Sequence, residues 1–211
     1  MKHKVIDNFL NEEYFDSLVT LFTDKEKTGN RVMPWYFITN ISYLDVVEDN
    51  LFYMIHMFYD ENVPMSPYYN NLMLLLEKLM GGTDKQNGAL MRIKGNLYPN
   101  TERLHEHPMH TDFPYSHSGA ILSLNTCDGY TKLEDGTKID SVANRILLFD
   151  GSNEHCSTKS NNWPSGMTPF FAECEGEGGI YTDKEYAKRK RQPCHGGWKF
   201  FDRGEPTLTN D

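Results

Sequence analysis

The 211-residue chain is long enough for one domain or a domain with a tail, and its 12 Phe, 12 Tyr and 3 Trp rule out a disordered polymer. Its 30 acidic residues against 21 basic ones leave a net charge of −9, which argues against coating nucleic acid or an anionic membrane by bulk charge. No segment approaches the roughly 18 apolar residues a membrane span needs; the richest run, 51–59 (LFYMIHMFY), is short and contains His56.

Lys2 and Lys4 are followed by Asp7 and Asn8 before any apolar stretch forms, so no cleaved secretory signal is expected. Cys127, Cys156, Cys174 and Cys194 form no CxxC pair, the pattern of free thiols in a reducing cytosol. A cytoplasmic protein is the expectation.

The first third reads as helical. Asn11 caps a helix whose first turn holds Glu12 and Glu13 and whose apolar residues Phe15, Leu18, Leu21 and Phe22 recur at helical spacing. Ser66-Pro67 predicts a second helix running to Met80, with Gly81-Gly82 as its stop. From about Ala89 the period shortens. Strands are expected at 89–98, 120–126, 130–133, 137–140 and 145–149, with Glu134-Asp135-Gly136 as a hairpin turn. Helices followed by many short strands predict a mainly β protein: a double-sheet barrel or jelly roll supported by N-terminal helices.

The division expected is one domain over 1–172, with helical support at 1–85 and the jelly roll at 86–172, and a C-terminal appendage at 173–211. That appendage holds a basic run, Lys188-Arg189-Lys190-Arg191, which reads as a solvated helix face. Cys194-His195 is too sparse for a zinc finger. Trp35, Tyr36 and Phe37 read as core or barrel-edge packing.

Three histidines crowd the stretch LHEHPMHTDF: His105, His107 and His110, followed by Asp112. Alternate residues of a strand share a face, so His110 and Asp112 can offer an imidazole and a carboxylate to one ion. A third ligand must come from elsewhere, and His155 follows the apolar strand 145–149. Two histidines and a carboxylate on one face, with open positions opposite, are the donor set of a non-haem Fe(II) oxygenase. His105 and His107 share a face of their own, where they can line an entrance, bind zinc or sit at the surface.

The segments RIKGNLY (92–98), His110-Thr-Asp112, ILSLNTCDG (121–129), NRILLFD (144–150) and His155, in that order, resemble the 2-oxoglutarate- and Fe(II)-dependent oxygenases. The spacing is similar to the prolyl 4-hydroxylase-like branch in the short form that tailed phages encode, over roughly residues 5–160. The resemblance implies a double-stranded β-helix in which His110, Asp112 and His155 hold the iron and Tyr98 hydrogen-bonds the co-substrate. It further implies Fe(II), 2-oxoglutarate and dioxygen, with ascorbate as reductant, and hydroxylation of a substrate with release of succinate and CO2. The substrate is not identified; a peptidyl proline is the family-level expectation, with a small molecule, another protein side chain and a nucleobase left open. Neither a membrane nor nucleic acid is expected as a partner, and the place of action would be the host cytoplasm if a phage encodes the chain.

Family members carry an Arg or Lys about ten residues after the second iron histidine, which pairs with the distal carboxylate of 2-oxoglutarate. Here Lys159 stands four residues after His155, and the next basic residue is Lys184. The last strand is also interrupted by Pro164, Gly166 and Pro169. Three accounts stand open: Lys159 supplies the cation, another basic residue such as Arg92 or Arg145 does, or the C-terminal segment is altered and turnover is poor. The contrasting function class is a catalytically silent jelly-roll protein that binds a metal or a partner.

Overall fold

The computed structural model describes residues 3–23, 33–39, 52–81, 89–159 and 168–174, the last as backbone. Asn11 opens helix α1 (Glu12–Thr23) as its short acceptor side chain allows, Oδ1 taking the amide of Tyr14 at 2.9 Å. The apolar stripe of α1 buries Leu18 and Phe22. The second helix begins later than its Ser-Pro signal predicts. Ser66 is engaged by His56, Nε2 to Oγ 2.7 Å, and closes a four-residue turn through Tyr69 N to Ser66 O at 3.1 Å. A 3-10 turn over Tyr69–Leu72 follows, and α2 occupies Met73–Gly81. Its expected stop at Gly82 lies outside the described residues.

Two antiparallel sheets face each other. The larger runs β1 (His3–Ile6), β10 (Arg145–Asp150), β7 (Ser118–Ser123), β12 (Thr168–Cys174), β5 (Leu90–Leu97), β3 (Tyr53–Asp60), β2 (Tyr36–Ile38), with β4 (Val63–Pro64) paired to β3. The smaller runs β6 (His105–Glu106), β11 (His155–Lys159), β8 (Tyr130–Leu133), β9 (Lys138–Asp140). Except for the β8–β9 hairpin, successive strands from β5 to β12 alternate between the sheets. That alternation makes the fold a double-stranded β-helix, or jelly roll. The hairpin turns at Gly136, whose φ of +82° suits a residue without Cβ, and Asp135 Oδ1 accepts the Thr137 amide at 2.9 Å.

The first third is not purely helical: β1 to β4 lie within it. An aromatic run of eight residues is strand length rather than helix length, and β3 pairs with β5 from Met54↔Leu97 to Tyr59↔Ile93. Four-residue β1 has no readable period and is held by its register on β10, His3↔Phe149 to Ile6↔Ile146. Strand β12 forms despite its proline. Pro169 falls where the register on β5 shifts between Thr168 and Phe170, a position where a missing amide costs no ladder bond. This strand ends at Cys174, so the boundary expected at 172 falls inside it. Pro164, Gly166, the basic run and Cys194-His195 lie outside the described residues.

Alternation assigns each strand two faces. Ala120, Leu122 and Leu124, with Ile93 and Ile146, pack outward against Leu18, Phe22, Leu75 and Leu76 of the helices. Ile121, Leu147 and Phe149 point between the sheets and meet Leu133 and Ile139. Trp35 packs against the helix-side core, its ring 5.9 Å from Phe22. Tyr36 and Phe37 instead stand exposed on the edge strand β2.

Candidate metal centre

β5 presents Arg92, Lys94, Asn96 and Tyr98 between the sheets, because Met91, Ile93 and Gly95 are turned outward, Gly95 against Phe22. Opposite, β11 carries His155, Ser157 and Lys159 on its inward face. An isolated bridge ties the two histidine segments together: His110 N donates to His155 O and His155 N to His110 O, both at 2.9 Å. The structure thereby gathers His110, Asp112 and His155, with one ligand atom of each within 4.8 Å of the others.

The donor chemistry of this cluster fits a divalent cation. His110 Nδ1 donates to the carbonyl of Pro108 and His155 Nδ1 to that of Asn153, each at 3.1 Å. A carbonyl only accepts, so both Nδ1 atoms carry the proton and both Nε2 atoms present lone pairs. His155 Nε2 faces Asp112 Oδ2 at 3.3 Å. Two acceptors at that distance repel unless a proton or a cation lies between them, and neighbouring ligands of one ion at ordinary bond lengths stand roughly 3 Å apart. Burial, then the adjacent His155, holds His110 below the ordinary imidazole value. Burial alone would raise the Asp112 carboxyl, but the adjacent His155 and the charges of Lys94 and Arg92 outweigh it and hold Asp112 well below the usual carboxylate range.

The other expected residues fall beside this cluster. Tyr98 is buried, its ring stacked between Tyr53 at 5.3 Å and His107 at 5.8 Å, and its hydroxyl accepts from Ser157 Oγ at 3.2 Å. Lys159 is 1% exposed, with Nζ donating to Phe52 O at 2.6 Å and lying 5.4 Å from the Phe52 ring centre. Arg145 is engaged at the surface by Asp7, at 2.5 and 3.0 Å. Arg92 donates from Nη2 to Asp112 Oδ1 at 3.0 Å. A cavity of about 10 Å³ adjoins His110 and His155 and is lined by Lys94, Asn96, Tyr98 and Ser157.

Lys94, Asn96 and Ser157 were not singled out from the sequence, although counting back by twos from Tyr98 reaches the first two. His107 is not a surface residue: it is 2% exposed, and neither ring nitrogen has a hydrogen-bond partner among the described residues. Burial, then His105, Lys159 and His110, lowers it to about 3. Cys156 also lines the cavity, where burial, then Glu106, pushes its thiol up to about 11.

No protein-family model and no curated protein matches the chain. Among solved structures it is similar to a 2OG-Fe(II) oxygenase family oxidoreductase from Burkholderia pseudomallei, at 11% identity and TM-score 0.59 over 84% of this chain and 86% of that one. A Pseudomonas putida prolyl-4-hydroxylase matches at 14% and TM-score 0.50 over 83% and 92%. HygX from Streptomyces hygroscopicus, with nickel and 2-oxoglutarate bound, matches at 11% and TM-score 0.52 over 82% of each chain. At these identities the likeness establishes the fold. Among the described residues no helix is long and apolar enough to cross a membrane.

Proposed function

We propose that the chain is an Fe(II)- and 2-oxoglutarate-dependent dioxygenase of the prolyl 4-hydroxylase-like branch, with His110, Asp112 and His155 as iron ligands. The observation that carries this reading is the pair of imidazoles whose Nδ1 protons are tied to carbonyls while both Nε2 atoms converge with a buried carboxylate. When bound, Fe(II) and 2-oxoglutarate supply the oxidising chemistry, in which dioxygen is consumed, succinate and CO2 leave and a substrate C–H is hydroxylated.

The residues of this chain bind, orient and exclude water. Tyr98 and Lys159 are the groups on which we place 2-oxoglutarate, the hydroxyl as hydrogen-bond partner and the lysine as counter-charge to the distal carboxylate. The cavity of about 10 Å³ holds about one water, so the co-substrate is admitted only as lining side chains give way. Phe149, 4.9 Å from the His155 ring, continues the centre into the apolar interior and keeps that side dry. The likeness to a prolyl-4-hydroxylase supports a peptidyl proline as substrate; ascorbate as reductant and the host cytoplasm of a phage-encoded protein complete the proposal.

One observation favours the silent alternative: β12, TPFFAEC, carries neither Lys nor Arg. The deciding experiment measures succinate from 2-oxoglutarate with Fe(II), ascorbate and air, beside a His110→Ala control. Slow turnover that the control loses supports the oxygenase. Iron binding without turnover supports a silent metal-binding protein, and absence of both removes the metal centre.

A further inference from the structure

Asp112 is the one carboxylate of the proposed centre, and its two oxygens have different partners. Oδ2 faces His155 Nε2 at 3.3 Å, inside the ligand cluster. Oδ1 is turned to the guanidinium of Arg92 at 3.0 Å, with the two side chains 7% and 18% exposed. Arg92 is itself fixed from below, its Cζ lying 4.7 Å from the ring centre of Phe113, the residue that follows Asp112. The guanidinium, carried on β5, thus lies over an aromatic face within cation–π distance.

A carboxylate left to itself in a metal site can bind through one oxygen or both. Two-oxygen binding takes an additional coordination position, one that a bidentate keto acid and dioxygen would need. We infer that Arg92 is a positioning residue that holds Asp112 by Oδ1, leaving Oδ2 as its single metal-donor oxygen and the remaining positions open to the co-substrate. The inference rests on the proposed metal centre. It assigns to Arg92 a duty other than pairing with the distal carboxylate of 2-oxoglutarate.

Co(II) is the probe, because its visible spectrum reports coordination number without turnover. The test compares wild type, Arg92→Leu, Arg92→Lys and Phe113→Leu, each checked for a cooperative melt. In Arg92→Leu, Co(II) binding persists, the visible absorption band of the 2-oxoglutarate-free protein changes shape and intensity, and 2-oxoglutarate affinity of the cobalt form falls at least about 10-fold. This is the scale on which partners of metal ligands act. Arg92→Lys recovers part of the wild-type spectrum. Phe113→Leu, which keeps the guanidinium but removes its support, gives a smaller change of the same kind and serves if Arg92→Leu fails to fold. An unchanged cobalt spectrum and unchanged 2-oxoglutarate affinity in the folded variants overturn the inference. A wild-type protein that binds no Co(II) instead refutes the metal centre on which it depends.

Discussion

Replacing Lys159 by methionine separates the two demands on this side chain, because the stem volume is kept and only the charged head is lost. In the structure Nζ donates to Phe52 O at 2.6 Å and lies 5.4 Å from the Phe52 ring centre. Removing Nζ strands the Phe52 carbonyl, at about 1–3 kcal/mol, but also relieves the desolvation of a side chain only 1% exposed. The two effects offset, so the net change in stability is about 1 kcal/mol or less, a Tm shift of no more than about 4 °C for a chain of this size. Ligand binding has no such compensation. A charge-assisted bond to a carboxylate in a dry site contributes about 1.5–3 kcal/mol, and its loss weakens 2-oxoglutarate by roughly 10- to 150-fold. The assay is calorimetric titration of 2-oxoglutarate into the Mn(II)-loaded protein, beside a thermal melt. Unchanged affinity in Lys159→Met at an unchanged Tm refutes the assignment and moves the counter-charge to Lys94, the other lysine against the centre.

Two further outcomes follow from packing and protonation. Gly119→Ala builds a Cβ 2.7 Å from Cε1 and Cζ of Phe149. That overpacking costs about 1–3 kcal/mol and displaces a ring that backs His155, so Tm and metal affinity both fall; a variant with wild-type values in both would show that the ring yields freely. His107, lowered to about 3 from an ordinary value of 6.5, stays neutral in the folded chain while the unfolded chain takes up a proton below 6.5. Its contribution to stability is therefore complete above 6.5 and lost as pH falls toward 3, with a ceiling of about 5 kcal/mol. Chemical denaturation from pH 7 to 3.5 should give a shallower fall for His107→Phe than for wild type, and equal slopes would refute the shift.

What could be read in advance and what could not divides along the range of the interactions. Asn11 with Glu12 and Glu13, the Glu134-Asp135-Gly136 turn and the alternation of β5 and β10 are local signals, and each produced its element within a few residues. The His110, Asp112 and His155 set was legible because two members are locally spaced and the third follows a strong apolar strand. The start of α2 was not, since the Ser66 cap signal competes with a hydrogen bond from His56, ten residues earlier. β1 and β2 are too short to show a period and exist through pairing alone. β12 was obscured by Pro169, which only the register on β5 explains. The Arg92–Asp112 pair joins a strand of the larger sheet to the loop after β6, and nothing in either segment announces the other.

The distribution of charge shows why composition was a poor guide to the centre. The chain carries −9 overall, yet the polar compartment between the sheets is framed by Arg92, Lys94 and Lys159 with Asp112 as the carboxylate among them. A low-dielectric enclosure makes that local excess of cations far stronger than the solvated surface acids outside it. It is consistent with the proposed co-substrate, a dianion, whatever the bulk charge. The placement on β11 also bears on the missing basic residue of β12. His155, Ser157 and Lys159 share one face, so a single strand offers the proposed metal ligand, the hydroxyl that donates to Tyr98 and a cation about 13 Å along the chain. Under the proposed function, Lys159 on β11 would provide the positive charge that β12 does not carry.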